Sequence, residues 1–113
     1  MTTKDKGELF PGTLEMLILA TLRPGPLHGY LISQRIQQTS DDLLHVEEGS
    51  LYPALQRLLI EGWATAEWGL SARNRRVRIY TITPAGREQM NREMERVSRV
   101  IDGIARVMRP SEA

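Results

Sequence analysis

Apolar residues recur along this chain with several different spacings, and each spacing predicts an element. Residues 13–22 are apolar on nearly every side, interrupted only by Glu15, Thr13 and Thr21. Such a helix needs cover on more than one face, from its own core and from a second subunit. Thr13 is placed to cap it, and Arg23-Pro24-Gly25-Pro26 stops it. Residues 27–39 read as a second helix with Tyr30, Leu31, Ile32 and Ile36 for burial, and Gly29 implies close backbone approach near its start. Ser50 can cap a third helix carrying Pro53 in its first turn, and Gly62 ends it. Leu51, Leu55, Leu58 and Leu59 share one arc of that helix. The opposite face carries Pro53, Gln56, Arg57 and Ile60, with Ser50 at its edge.

Spacing then changes to period two. Residues 63–68 and 77–82 read as strands joined by the loop 69–74, which begins with Gly69 and ends with Asn74. Tyr80 and Ile82 share a face with Arg76 and Arg78, so the hairpin packs at its base and projects a charged tip. Residues 84–108 return to helical spacing, with Thr83 as cap and Pro84 in first position. Met90, Met94, Val97, Ile101, Ile104 and Met108 repeat at intervals of four and three, a heptad seam that no other element of the chain obviously covers. A partner helix from a second copy is the expectation, with Leu14, Leu17 and Ile18 of the first helix contributing.

The resulting order is helix, helix, loop, helix, β-hairpin, long helix: a mainly α chain with a small β-hairpin, arranged as a winged helix-turn-helix with a long C-terminal dimerisation helix. Residues 1–8 read as a disordered lead, 9–83 as the winged domain and 84–113 as the dimerisation helix and tail. At 113 residues with 41% apolar content, one core is what the chain can bury. No cysteine is present, which excludes disulfides, thiolate metal sites and a cysteine nucleophile. No apolar run reaches the roughly 20 residues a membrane span needs, and the polar start lacks a signal core, so cytoplasmic residence is expected.

Net charge is only +1, from 15 basic and 14 acidic residues, but charge is unevenly placed. Residues 69–83 hold Arg73, Arg75, Arg76 and Arg78 and no acid, whereas residues 41–48 hold Asp41, Asp42, Glu47 and Glu48 and no base. An arginine-rich hairpin tip beside an uncommitted polar helix face suits double-stranded DNA, the helix in the major groove and the tip against phosphates. A solvated arginine loop is the plainer alternative. Arg57 suits either a guanine edge or a phosphate; Tyr52 and Tyr30 suit packing, a phosphate bond, or both.

Three stretches carry a resemblance: Leu27-His28-Gly29-Tyr30, Gly49-Ser50-Leu51-Tyr52-Pro53-Ala54-Leu55-Gln56-Arg57-Leu58, and Arg75-Arg76-Val77-Arg78-Ile79-Tyr80-Thr81-Ile82-Thr83-Pro84-Ala85-Gly86. Together they resemble the signature segments of the PadR family, in its short form with a single C-terminal helix. The resemblance implies a homodimeric winged-helix transcriptional regulator, usually a repressor, acting on a pseudo-palindromic operator. Carried onto this chain, the implied DNA contacts are Tyr30, Ser50, Tyr52, Pro53, Gln56 and Arg57, with Arg73, Asn74, Arg75 and Arg76 on the wing. Some family members bind planar ligands between aromatics at the dimer interface. Here the C-terminal helix has no aromatic residue, so ligand class does not carry over and an effector of unidentified chemistry stays open.

Other readings are weaker. His28 and His45 lie in different elements, Ser50 has no evident base partner and no phosphate loop is present, so no enzyme and no cofactor is expected. Asp41, Asp42, His45, Glu47 and Glu48 read as a solvated acidic loop, with a metal-responsive regulator as the alternative. Trp63 and Trp68 read as core at the hairpin base, or as pocket lining. A winged-helix module that binds protein is the remaining rival, although such modules usually lack a basic wing.

Overall fold

A computed structural model describes residues 12–111. The expected disorder of residues 1–8 lies outside the described residues. In chain order the elements are α1 (Thr13–Leu22), β1 (Leu27–His28), α2 (Gly29–Thr39), α3 (Glu48–Ile60), β2 (Ala64–Leu70), β3 (Arg76–Ile82) and α4 (Pro84–Met108). The fold is mainly helical, with one small antiparallel sheet ordered β1-β3-β2.

β1 was not expected as a strand. Pro24 and Pro26 break the chain after α1, and the extended residues that follow find backbone partners on the open edge of β3, Leu27 opposite Tyr80 and His28 opposite Ile79. Pairing along that edge outweighs the helical pattern of Leu27 and His28, and α2 therefore starts at Gly29. Gly29 is close to a neighbour as anticipated: a Cβ there would lie 3.4 Å from the Tyr52 ring.

Two caps differ from expectation. Thr13 is the first residue of α1 rather than its cap; Gly12, with φ of 86°, holds that position, and the buried Thr13 hydroxyl has no hydrogen-bond partner. α3 begins at Glu48, so Ser50 lies inside the first turn and Pro53 falls in the second. The main chain accounts for the earlier start, because the Glu47 carbonyl accepts from both Ser50 and Leu51 N–H. Glu48 also sits favourably at the positive end of the helix. At its far end α3 closes as read: Gly62 takes φ of 77°, and the N–H groups of Gly62 and Trp63 donate to Leu59 and Leu58.

α1 packs against α2, α3, α4 and β3, which explains its all-round apolar surface. Ile18, Leu19 and Leu22 are buried there with Ile32, Leu51, Leu55, Leu58, Ala64, Tyr80, Ile82 and Met90. Ile18 is 0% exposed and Met90 2%, so these two, expected at the dimer seam, belong to the core of the single chain. Leu14 and Leu17 are half-buried against that core.

The junction of α3, the hairpin and α4 is tightly built. Thr83 N–H donates to the Trp63 carbonyl at 3.0 Å and Thr83 Oγ1 donates to Gly62 at 2.7 Å. The same Thr83 Oγ1 accepts from Gly86 N–H at 3.0 Å, capping α4 as read. A Cβ on Gly86 would fall 2.1 Å from the Trp63 carbonyl oxygen, a backbone atom that cannot swing away. Gly86→Ala should therefore destabilise the chain by ~1–3 kcal/mol or more through overpacking, read as a lowered melting temperature; an unchanged melting temperature would show that α4 docks with slack.

Candidate nucleic-acid interface

α3 buries Leu51, Ala54, Leu55 and Leu58, which leaves a ridge of Ser50, Pro53, Gln56 and Ile60 exposed. The two flanks of that ridge have separate partners. On one flank, Tyr52 is half exposed and its ring lies against Gly29. Burial pushes the neighbouring Tyr80 phenol above its usual pKa, Arg78 opposing the shift and Tyr52 adding to it. The other flank carries Arg57, whose Nε lies 3.4 Å from Glu15 Oε2 of α1. In the sequence, Glu15 stands out only as an interruption of an apolar run. The signal was available, because a carboxylate in an apolar helix needs a cationic partner.

Glu15 and Arg57 also line a cleft of about 450 Å³ between α1 and α4, together with Met16, Trp63, Glu93 and Arg96. Trp63 is half-buried there, so it serves both the core and the cleft wall. Trp68 departs from its expected place at the hairpin base. It is 58% exposed on the wing, with Arg76 and Arg78 over its ring.

The wing is the hairpin β2–β3 in register from Ala64 opposite Ile82 to Leu70 opposite Arg76. Its tip closes on Ser71, whose N–H donates to Arg75 and whose carbonyl accepts from Asn74 N–H. Ser71 Oγ accepts from the N–H groups of Arg73 and Arg75. Asn74 takes φ of 63°, a left-handed conformation that Asn tolerates better than most residues. This is a turn followed by a left-handed residue, one of the common short hairpin closures. It leaves Arg73, Asn74, Arg75 and Arg76 exposed.

A groove of about 830 Å³ runs between the wing tip and the start of α2, lined by His28, Tyr30, Gln34, Arg73 and Arg75 among others. Tyr30 is 59% exposed, and its hydroxyl accepts from Gln34 Nε2 at 3.2 Å. The structure thus brings Tyr30 together with Arg73 and Arg75, and Tyr52 to the flank of α3 that meets α2. It draws Arg57 away, to the α1 side. Among the described residues, no group of three or more His, Asp or Glu side chains is gathered to hold a metal ion, so the acidic loop does not form such a cluster. No helix of the described residues is long and apolar enough to cross a membrane.

Three helices, a small sheet and an exposed basic hairpin beside an exposed helix ridge define a winged-helix protein. The family model for the transcriptional regulator PadR-like family matches residues 18–92, and the chain belongs to that family. The chain is 38% identical over 98 residues to an uncharacterized 37.1 kDa protein in transposon TN4556 of Streptomyces fradiae, covering 87% of this chain and 27% of that protein. It is 27% identical over 78 residues to the negative transcriptional regulator PadR of Bacillus subtilis strain 168, covering 69% of this chain and 43% of that protein. The chain therefore spans well under two thirds of the length of both relatives. Among solved structures, it superposes on a transcriptional regulator from Clostridium thermocellum with a TM-score of 0.79 at 28% identity, covering 88% of this chain and 96% of that one. It also superposes on Bacillus subtilis PadR in complex with operator DNA, with a TM-score of 0.65 at 26% identity, covering 73% of this chain and 47% of that one.

The Glu15–Arg57 pair is long, and although the Glu15 side chain is only 16% exposed, that of the arginine is 66% exposed and stays open to water. A double-mutant cycle with Glu15→Gln and Arg57→Gln in chemical unfolding should give a coupling of only ~0.2–1 kcal/mol. A coupling above about 2 kcal/mol, beyond the usual range for exposed pairs, would mean that Arg57 is locked to α1 and cannot serve another partner.

Proposed function

We propose that this chain is a cytoplasmic homodimeric repressor that binds a pseudo-palindromic operator. In this reading α3 enters the major groove along the Ser50, Pro53 and Gln56 ridge. Tyr30, Tyr52 and the wing residues Arg73, Asn74, Arg75 and Arg76 hold the backbone on either side. Arg57, engaged with Glu15 on the flank of the ridge, acts at a phosphate rather than at a base edge. The observation that carries the reading is the acid-free, exposed arginine tip, facing Tyr30 across a groove on a hairpin that packs against α3, in a chain whose net charge is only +1. The Bacillus relative's name supports the repressor sense, and the operator complex described for that protein supports DNA as the partner. The cleft between α1 and α4 supports a small-molecule effector that releases the protein.

The dimer rests on α4. Beyond Met90 its stripe leaves the core: Met94, Ile101, Ile104 and Met108 are exposed and Val97 is half-buried. At 1.5 Å per residue the 25 residues of α4 run roughly 37 Å, against roughly 15 Å for the 10 residues of α1, the helix that packs on it. A second copy offers the same stripe in a self-complementary arrangement.

Replacing Arg73, Arg75 and Arg76 with alanine should weaken binding to operator and random duplex alike. Each lost phosphate contact should reduce the slope of log K against log salt by ~0.9. An unchanged slope would overturn the wing assignment. Ile101→Asp should give a folded monomer with much weaker operator binding, because a carboxylate at an apolar interface opposes association. Sedimentation decides: a mutant that stays dimeric and binds normally would sink the α4 interface.

A further inference from the structure

Beyond the core, the inward face of the wing carries an unusual residue. Ala64 and Ile82 are paired and buried, and buried Tyr80 faces half-buried Ala66 in the next pair on the same face. With side chains alternating along each strand, Trp68 opposite Arg78 and Leu70 opposite Arg76 continue that face out into solvent. The Arg76 guanidinium sits 4.6 Å from the Trp68 ring centroid and that of Arg78 5.9 Å from it. Among the described residues neither arginine has a carboxylate within ion-pair distance, so the indole is their shared fixed partner.

That pairing differs from a salt bridge in one respect that matters. A carboxylate would neutralise the cations, whereas an aromatic face holds them by its quadrupole and leaves their charge and their N–H donors available. Two long, flexible side chains are thereby ordered before any ligand arrives, which lowers the entropy lost on binding. Thickness sets where they act. A guanidinium 4.6 Å from the ring, with a half-thickness of roughly 1.8 Å on each outer side, is wider than the ~6 Å minor groove of B-DNA. The stacked unit is therefore too thick to enter the minor groove, and phosphates at its rim are the groups it can reach there.

We propose that Trp68 is a positioning residue for DNA binding, holding Arg76 and Arg78 as a preformed two-pronged clamp on the phosphate backbone. The proposal rests on the DNA-binding reading above and adds a residue and a mode of action to it. It makes the contribution of Trp68 independent of DNA sequence and wholly dependent on the two arginines.

The test uses the full chain and a fluorescently labelled random-sequence duplex, with Trp68→Ala, Trp68→Phe, Arg76→Ala with Arg78→Ala, and the triple variant. Because the stack is present before binding, its gain is the side-chain ordering already done, about two- to twelvefold in affinity for one immobilised side chain, so a dimer engaging both wings should lose at least about fivefold with Trp68→Ala. Trp68→Phe should recover much of that loss, and the melting temperature should hold within about 2 °C, as is usual for an exposed site. In the background lacking both arginines, Trp68→Ala should change affinity less than twofold, since its effect passes through them. The proposal is overturned if Trp68→Ala binds like wild type while the arginine variant is weakened. It is equally overturned if Trp68→Ala keeps its full penalty without the arginines, which would mean that the indole meets DNA directly. If the wild type itself shows no duplex binding at low salt, the DNA reading fails and takes this proposal with it.

Discussion

The short distance between Gly86 and the Trp63 carbonyl is the constraint on which the rest of the molecule hangs. Only a residue without a Cβ lets α4 start at that spot, 2.1 Å from where a methyl carbon would meet a backbone oxygen. Thr83 secures the same point from both sides, donating to Gly62 and the Trp63 carbonyl while capping the Gly86 amide. Three elements are thus tied within a few residues: the end of α3, the base of the hairpin and the start of α4. The angle of the wing relative to the α3 ridge, and the direction in which α4 leaves the core, both follow from this knot.

From the knot, the division of labour on α3 follows. Its leucine stripe is used up by α1, α2 and the sheet, Tyr52 leans on Gly29, and Arg57 is drawn towards Glu15. What is left over is a narrow ridge of short or uncharged side chains. Charge for an anionic partner comes instead from the wing, where the turn at Ser71 and left-handed Asn74 crowd arginines around a tip with no acid. Shape and charge therefore reside on different elements, a separation that suits the proposed division in which the ridge discriminates and the wing anchors.

Most of this architecture could be read from spacing. The all-round apolar α1, the leucine arc of α3, the Gly62 stop, the Thr83 cap and the alternation that groups Arg76 and Arg78 with Tyr80 all have local causes, and local causes are visible in sequence. The misreadings share a different cause. β1 exists because β3 offers a free edge, and Ser50 is not the cap because the Glu47 carbonyl is already engaged. Met90 reads as a seam residue because a heptad pattern does not show where a neighbouring element ends, and Ile18 because an all-round apolar helix does not show which faces its own chain covers. Trp68 was misplaced because composition suggests burial for tryptophan, whereas its actual neighbours are set by strand register, which no single strand reveals. The Glu15–Arg57 contact bridges two helices and is invisible to any periodicity.

The extent of the α4 seam can be argued from magnitudes. A radius of gyration of 16.1 Å exceeds the ~13 Å expected for a compact chain of this length, as it must if a helix of 25 residues runs past its core. Association of two copies must overcome an estimated ~4–15 kcal/mol of lost rigid-body freedom. Complete burial of one aliphatic side chain contributes ~1.5–3 kcal/mol, so Met94 and Val97 at the root of the helix, counted in both copies, give ~6–12 kcal/mol and do not clear the upper part of that cost. Met94, Val100, Ile101, Ile104, Val107 and Met108 are all exposed, and two copies double that set. Full burial of that set contributes ~18–36 kcal/mol, above the whole range of the cost. The outer half of α4, where the single chain supplies no cover, is therefore what lifts the proposed dimer clear of that cost, and in such a dimer the placing of the two α3 ridges is set by the part of the helix farthest from them.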